Sequence, residues 1–268
     1  MSLSHPGSPE PERLEPKSPE PERLKPGLLF PQPAPPRPEQ VQALFNRIAP
    51  VYDQLNDQLS FGLHRVWKRM AVSWVGLQPG QVALDLCCGT GDLALLLAQQ
   101  VGAQGQVYGL DFAWELLAVA EQRAERDRPR PAILWQQGDA LNLAFEDQFF
   151  DGATLGYGLR NVGDIPRCLA ELYRVLKPGA RATILDMNRP ISDFSGVLRQ
   201  FQSWYLDNLV LPNATRLGVR EEYAYINPSI ERFPLGPEQV KLAQAAGFRQ
   251  ATYYPLALGL MGALVLER

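Results

Sequence analysis

From residue 39 onward the chain switches repeatedly between two hydrophobic periods. Val41, Leu44, Phe45, Ile48 and Ala49 recur at helical spacing until Pro50 interrupts. A second amphipathic stretch covers 61–75, with Leu63, Val66, Trp67, Met70, Ala71 and Trp74 on one face. After the turn Gln78-Pro79-Gly80 the rhythm changes to short apolar runs separated by helical segments. Strands are predicted over 82–87, 106–110, 132–137, 150–155 and 180–187, and helices over 93–101, 114–126 and 165–176. Such alternation predicts an α/β fold, a mostly parallel sheet with helices on both faces.

The rhythm stops after Pro190. Residues 194–211 are rich in Leu, Phe, Trp and Val and read as a helix, followed by a polar, aromatic stretch through Tyr223, Tyr225 and Phe233. It resumes with a helix over 237–246 and strands near 248–254 and 262–266. Residues 190–236 thus read as a late helical insertion, the kind of segment that forms a substrate-facing lid.

Composition separates a different region. Twelve of the 24 prolines fall in residues 1–38, where the heptad SPEPERL occurs twice and five Glu balance five Lys and Arg. So little apolar surface cannot offset the entropy of ordering, so 1–38 reads as a disordered, polyproline-like tail before a domain over 39–268. With 26 Lys and Arg against 29 Asp and Glu, no basic excess supports nucleic-acid binding. Cys87, Cys88 and Cys168 cannot all pair, which excludes a disulfide scaffold and fits a reducing compartment. No apolar run reaches the roughly 18 residues that would span a bilayer, and the N-terminus has no apolar signal core. The expectation is a soluble, cytoplasmic protein.

Chemistry concentrates where predicted strands end. Asp85-Leu86-Cys87-Cys88-Gly89-Thr90-Gly91-Asp92 takes a buried strand through a glycine turn into a helix. Glycines let a ligand approach the backbone, and the helix start offers unpaired N–H groups. The dinucleotide pattern would place a third glycine further on, and here it is missing, while Asp85 and Asp92 flank the turn. That disfavours a diphosphate and favours a cationic or neutral nucleoside such as S-adenosylmethionine. Asp111, ahead of Phe112, ends the next strand, where a carboxylate accepts hydrogen bonds from both ribose hydroxyls; its plainer role is a helix cap. Asp139 and the backbone N–H of Ala140 follow the third strand and could read an adenine edge, though Asp139 would also suit a turn.

The fourth strand ends at Gly156-Tyr157-Gly158-Leu159-Arg160-Asn161-Val162. Arg160 and Asn161 sit where open α/β sheets bind ligands, although an Arg-Asn pair is also ordinary in loops. His64 reads as a packing residue, and two histidines cannot build a His-rich metal site; no metal is expected. The vicinal Cys87 and Cys88 lack metal-ligand spacing.

Residues 52–68, beginning Tyr52-Asp53-Gln54-Leu55-Asn56 and ending His64-Arg65-Val66-Trp67-Lys68, resemble the N-terminal signature of the ubiquinone/menaquinone-biosynthesis C-methyltransferases. Gly158-Leu159-Arg160-Asn161-Val162 and Tyr173-Arg174-Val175-Leu176-Lys177-Pro178-Gly179 match two further motifs of that family. The likeness runs from about Gln40 to the C-terminus. Leu55, Ala180 and Asp186 depart from the usual Met, Gly and Glu; Leu55, the turn Cys87-Cys88-Gly89-Thr90-Gly91-Asp92 and the ending Asp186-Met187-Asn188 look like the cyanobacterial and chloroplast branch.

The resemblance implies a class I S-adenosylmethionine-dependent methyltransferase with a Rossmann-like sheet. It puts Thr90, Asp111, Asp139, Ala140 and Gly156 at cofactor positions, beside Asp85, Gly89, Gly91, Asp92 and Phe112. Arg160 and Asn161 become the catalytic candidates, and Tyr52, Asn56 and Tyr157 the substrate candidates. The implied substrate is a lipid-soluble, demethylated prenyl-naphthoquinol (demethylphylloquinol), with the menaquinone precursor as the alternative. A lipid substrate implies transient contact with a membrane surface, the thylakoid in that branch. An oligomer stays open. A nicotinamide-dependent oxidoreductase is the competing enzyme class, weakened by the missing glycine, and a non-catalytic scaffold the competing non-enzyme.

Overall fold

The computed structural model describes residues 38–51, 62–128, 131–189, 211–219 and 225–268, with single positions at 1, 57, 60, 196, 200, 204, 205 and 208. Backbone contacts separate Met1–Ala34 from Pro35–Arg268, and the helices and strands of the fold belong to the second unit. Helix α1 (Pro38–Ile48) runs into a short 3-10 turn, Ala49–Val51, and α2 (His64–Val75) precedes the sheet. The alternating part comprises β1 (Val82–Leu86), α3 (Asp92–Val101), β2 (Gln106–Asp111), α4 (Trp114–Asp127), β3 (Ile133–Gln137), β4 (Phe150–Gly156), α5 (Ile165–Val175) and β5 (Leu176–Met187). Then come α6 (Leu211–Arg216), α7 (Ile226–Arg232), α8 (Gly236–Ala245), β6 (Gln250–Leu256) and β7 (Met261–Glu267).

The seven strands lie in the order β3-β2-β1-β4-β5-β7-β6, and β7 alone runs against the others. The strand order reverses between β1 and β4, which opens a crevice at their C-terminal ends. Period-two alternation along β1 supplies both faces. Leu84 and Leu86 pack with Leu169, Leu172 and Val175 of α5, while Ala83 packs with Val72 and Val75 of α2 and Leu97 and Val101 of α3. Asp85 shares the parity of Ala83 and has no exposed surface, so a carboxylate is buried among apolar neighbours.

Three expectations need correction. The buried face of α2 is His64, Lys68, Ala71, Val72 and Val75, whereas Leu63 and Val66 are 49% and 43% exposed. The apolar stripe read from the sequence is therefore displaced around the helix, and a histidine and a lysine point inward. Second, β5 starts at Leu176, directly after α5, and the Lys177-Pro178-Gly179 segment is a register shift within it: Phe150 pairs with Leu176, but Gly152 pairs with Arg181. Third, the helix expected over 165–176 ends at Val175, because Leu176 already belongs to β5; at Gly156, a cofactor position by expectation, a Cβ would lie 2.6 Å from Leu93 Cδ1. The helix expected over 194–211 and the tail expected over 1–38 lie almost wholly outside the described residues.

Candidate active site

The glycine turn is built by backbone that only a few residues tolerate. Cys87, Gly89 and Gly91 all have positive φ, at 54°, 54° and 85°. A Cβ at Gly91 would also stand 2.6 Å from the Trp135 ring, so this position is glycine for both conformation and packing. The turn is tied to β2 by Cys88 N–H donating to the Leu110 carbonyl (3.0 Å) and Gly89 N–H donating to Asp111 Oδ2 (2.8 Å). Asp111 Oδ1 accepts from Ala113 N–H at 2.9 Å. Asp111 therefore does cap the approach to α4, and it also stays on a cavity wall. Burial pushes its carboxyl up to about 6, against the pull of the Ala113, Gly89 and Phe112 N–H groups.

That cavity, about 410 Å³, lies over the crevice between β1 and β4. Its walls come from Cys87 and Gly89 after β1, Asp111 and Phe112 after β2, Gln137 to Leu141 after β3, Gly158 and Asn161 to Gly163 after β4, and the α1 side chains Val41, Gln42 and Phe45. Asp139 is exposed; its Oδ1 accepts from Leu141 N–H at 2.9 Å, the turn role, while the residue lines the cavity beside Ala140. Asn161 donates through Nδ2 to the Tyr157 carbonyl (3.0 Å), leaving a buried Oδ1 with no hydrogen-bond partner among the described residues.

Of the residues singled out in the sequence, Gly89, Asp111, Phe112, Asp139, Ala140 and Asn161 line this cavity. Asp85, Thr90, Gly91, Asp92, Gly156, Tyr157 and Arg160 do not, and Tyr52 and Asn56 lie outside the described residues. Asp92 and Arg160 have charged partners, whereas Asp85 is only half satisfied, its Oδ2 buried without a hydrogen-bond partner among the described residues. Asp92 is not on the cavity wall; its Oδ2 lies 2.6 Å from Lys68 Nζ and its Oδ1 2.5 Å from Arg123 Nη2. Burial alone would raise Asp92, but Lys68 and Arg123 overcome it and hold the carboxyl at about 2. Arg123 also donates to the carbonyl and hydroxyl of Thr90, at 2.9 and 3.1 Å, and so fixes the turn from below. Asp85 accepts the Thr154 hydroxyl at 2.8 Å across the β1–β4 pair, and burial raises it to about 7.

Arg160 differs most from its expected placement. Its Nη1 lies 2.5 Å from Asp186 Oδ1 and 2.7 Å from the Tyr157 carbonyl, and its own backbone N–H donates to Asp186 Oδ2 at 3.0 Å. The side chain is 10% exposed and that of Asp186 3%. The guanidinium is thus a buried anchor that folds the 3-10 turn Leu159–Asn161 against β5. Tyr157 carries positive φ (60°) at the start of this turn, and Lys68 Nζ stands 5.6 Å from its ring centre. The other matched motif is also scaffold: Arg174, paired with Glu171 on the same helix, ties α5 to Asp147 and the carbonyls of Leu143 and Phe145.

His64 is buried as its reading as a packing residue expected, whereas the inward Lys68 and the α1 wall were not anticipated. Lys68 and His64 recur at positions i and i+4 with Ala71, Val72 and Val75, a helical face that the more apolar stripe obscures. His64 Nδ1 pairs with Ser60 Oγ at 2.7 Å, and burial lowers its pKa. The α1 wall gave no local signal, since its partners lie about 70 residues away. Burial keeps the Cys87 and Cys88 thiols protonated. Among the described residues no cluster of three or more His, Cys, Asp or Glu could hold a metal.

The sequence pattern of the ubiE/COQ5 methyltransferase family matches residues 36–265. A protein of Trichormus variabilis named 2-phytyl-1,4-naphtoquinone methyltransferase is 58% identical over 229 residues, covering 85% of this chain and 99% of that one. The Arabidopsis thaliana protein named 2-phytyl-1,4-beta-naphthoquinone methyltransferase, chloroplastic, is 51% identical over 84% of this chain and 86% of its own length. Among solved structures, a SAM-dependent methyltransferase from Aquifex aeolicus shares the fold with a TM-score of 0.56 at 18% identity, over 75% of this chain and 88% of that chain.

Proposed function

The chain belongs to the ubiE/COQ5 methyltransferase family, and from that premise we propose that it C-methylates a demethylated prenyl-naphthoquinol, demethylphylloquinol, in the last step of phylloquinone synthesis. It is an S-adenosylmethionine-dependent methyltransferase. The observation that carries the choice of substrate is the 58% identity to a 2-phytyl-1,4-naphtoquinone methyltransferase along nearly that protein's whole length. The demethylated menaquinone precursor is the alternative within the same chemistry.

The cavity suits the donor's nucleoside. A carboxylate has about four lone-pair sites. Gly89 and Ala113 N–H take one site on Oδ2 and Oδ1 of Asp111, and the Phe112 N–H also draws on the carboxylate, which leaves at least one site for a ribose hydroxyl. Asp139 and the Ala140 N–H are the candidates for the adenine edge, with Phe112 against its face. S-Adenosylmethionine supplies an electrophilic methyl on a sulfonium, which the ring carbon accepts while sulfur leaves as the neutral thioether and the ring proton passes to water.

The nucleophile must be the quinol, because a quinone ring is electron-poor. A phenol titrates near about 10, so the protein must favour partial negative charge on the ring oxygen. Asn161 Oδ1, buried and without a partner among the described residues, is the candidate acceptor for the quinol hydroxyl or for a water that takes its proton. Arg160 is a positioning residue in this reading. Asp186 offsets its charge, and its bonds to Tyr157 and Asp186 hold Asn161 at the cavity. Tyr157 is the substrate candidate among the described residues, and in-line alignment supplies the rest.

No helix among the described residues is long and apolar enough to cross a membrane. The lipid tail would instead be reached at a surface. Leu63, Val66 and the 78%-exposed Leu258 are apolar side chains left toward solvent around the Trp67–Leu256 cluster, and these with the 190–236 insertion are the proposed contact. The test of the function is lipid-quinone analysis of a strain lacking the gene. Accumulation of the demethylated phytyl-naphthoquinone supports it; accumulation of a demethylated menaquinone selects the alternative, and an unchanged quinone pool removes both.

A further inference from the structure

Helix α1 precedes every strand, yet it forms one wall of the cavity. Val41 is 3% exposed and lines the cavity with Gln42 and Phe45. Its attachments converge on the residues just after Asp111. Gln42 Nε2 donates to the Phe112 carbonyl at 2.6 Å, a carbonyl shared with Gln137 Nε2 at 3.1 Å. The Phe45 and Phe112 rings meet edge to face with centres 6.5 Å apart. Asn46 Oδ1 accepts Glu115 N–H at 3.2 Å and so caps α4, whose own N-cap residue Ala113 supplies no side-chain bond. α1 is also engaged beyond the cavity: Leu44, Ile48 and the edge of the cavity-lining Phe45 pack with Val219, Ile226 and Ile230 around the late insertion.

We propose that α1 is a clamp on the methyl donor, with Val41, Gln42 and Phe45 as additional donor-binding residues, and that α1 must lift for the nucleoside to exchange. The inference rests on reading the cavity as the donor site. Lifting α1 breaks the Gln42 and Asn46 side-chain hydrogen bonds, the Phe45–Phe112 contact and the apolar packing of Leu44, Phe45 and Ile48, and none of these belongs to the strand pairing of the sheet. With a nucleoside inside, the same side chains gain contacts, so occupancy holds α1 down and slows release. The outer packing through Ile48 sets how firmly the clamp closes without touching the cavity.

The test measures dissociation constants and dissociation rates of S-adenosylmethionine and of the by-product S-adenosylhomocysteine for the full chain and for Gln42→Ala, Phe45→Ala and Ile48→Ala. Melting temperatures are taken without ligand. Phe45→Ala should weaken both ligands at least about tenfold, mostly through faster release, as for loss of a buried aromatic anchor. Gln42→Ala should weaken them less, and Ile48→Ala should speed release although it meets no ligand. Folded variants that bind and release both ligands as the unaltered chain does would overturn the clamp, even if their melting temperatures fall. Failure of the unaltered chain to bind either ligand would instead overturn the donor-site reading.

Discussion

The ends of β2 and β4 each present a charged residue to the same crevice, and the structure uses them in opposite ways. Asp111 meets only backbone N–H groups, sits on the cavity wall, and is raised to about 6 by burial. Arg160 meets a full counter-charge, Asp186, and stands off the cavity. A buried charge without a counter-ion carries a standing electrostatic penalty that a ligand can relieve, whereas a paired one serves geometry. Asp92, held at about 2 by Lys68 and Arg123, belongs with the paired class although it borders the glycine turn.

The largest break in this contrast should come from Arg160→Ala. Removing one partner of a buried pair costs about 3–5 kcal/mol of stability, because Asp186 is left uncompensated. Methyl transfer should fall at least about 100-fold, roughly 2.7 kcal/mol of transition-state stabilisation, with nearly normal donor binding. Arg160→Lys should recover part of the rate, since an ammonium restores the charge without the planar fork. Parallel calorimetry and single-turnover rates distinguish this from general unfolding, which would lower donor affinity too.

Asp111→Asn should act on the other side of the contrast. An amide cannot accept from both Gly89 and Ala113 and still offer a site to a ribose. Hydrogen bonds to a charged group contribute about 1.5–3 kcal/mol, so the donor Kd should rise at least about tenfold. Unchanged affinity in a folded variant would remove Asp111 from the donor site.

Lys68→Met tests whether Asp92 is structural. The shift of Asp92 from 3.8 to about 2 corresponds to about 2 kcal/mol, less some screening because the side chain is 23% exposed. A depressed carboxyl contributes stability above its unfolded value that is lost as pH falls toward the folded one. The variant should therefore be less stable at neutral pH, and its deficit should shrink between about pH 4 and 2. Donor affinity should change little.

The smallest expected effect is titration of the donor site. A protonated Asp111 is a weaker acceptor than the carboxylate, so the Kd should rise as pH falls through about 6, by no more than Asp111→Asn itself raises it, and should be level above that pH. Asp111→Asn should abolish this dependence.

The strand ends were legible because each short apolar run stops at a turn, and Gly89, Asp111, Asp139 and Asn161 follow directly from those stops. Their partners were not. Asp186 lies 26 positions beyond Arg160 on another strand, and no local pattern announces that the two charges meet. Lys68 was hidden by a stronger apolar stripe on the same helix, where Leu63 and Val66 invite burial but face solvent. The α1 wall is further still from its partners, with Gln42 and Phe112 separated by 70 positions. Period and turn chemistry are local properties, whereas charge pairing and cavity walls are set by the fold as a whole.

The identity of the methyl acceptor is open to direct measurement. Purified protein would be incubated with methyl-labelled S-adenosylmethionine and chemically reduced 2-phytyl-1,4-naphthoquinol under nitrogen, beside the oxidised quinone, and the product examined by mass spectrometry and carbon NMR. C-methylation of the quinol predicts label on the vacant ring carbon, one S-adenosylhomocysteine per methyl, and none on the quinone. Label on a ring oxygen, equal reaction of the oxidised form, or bound donor with no transfer to the quinol would contradict it.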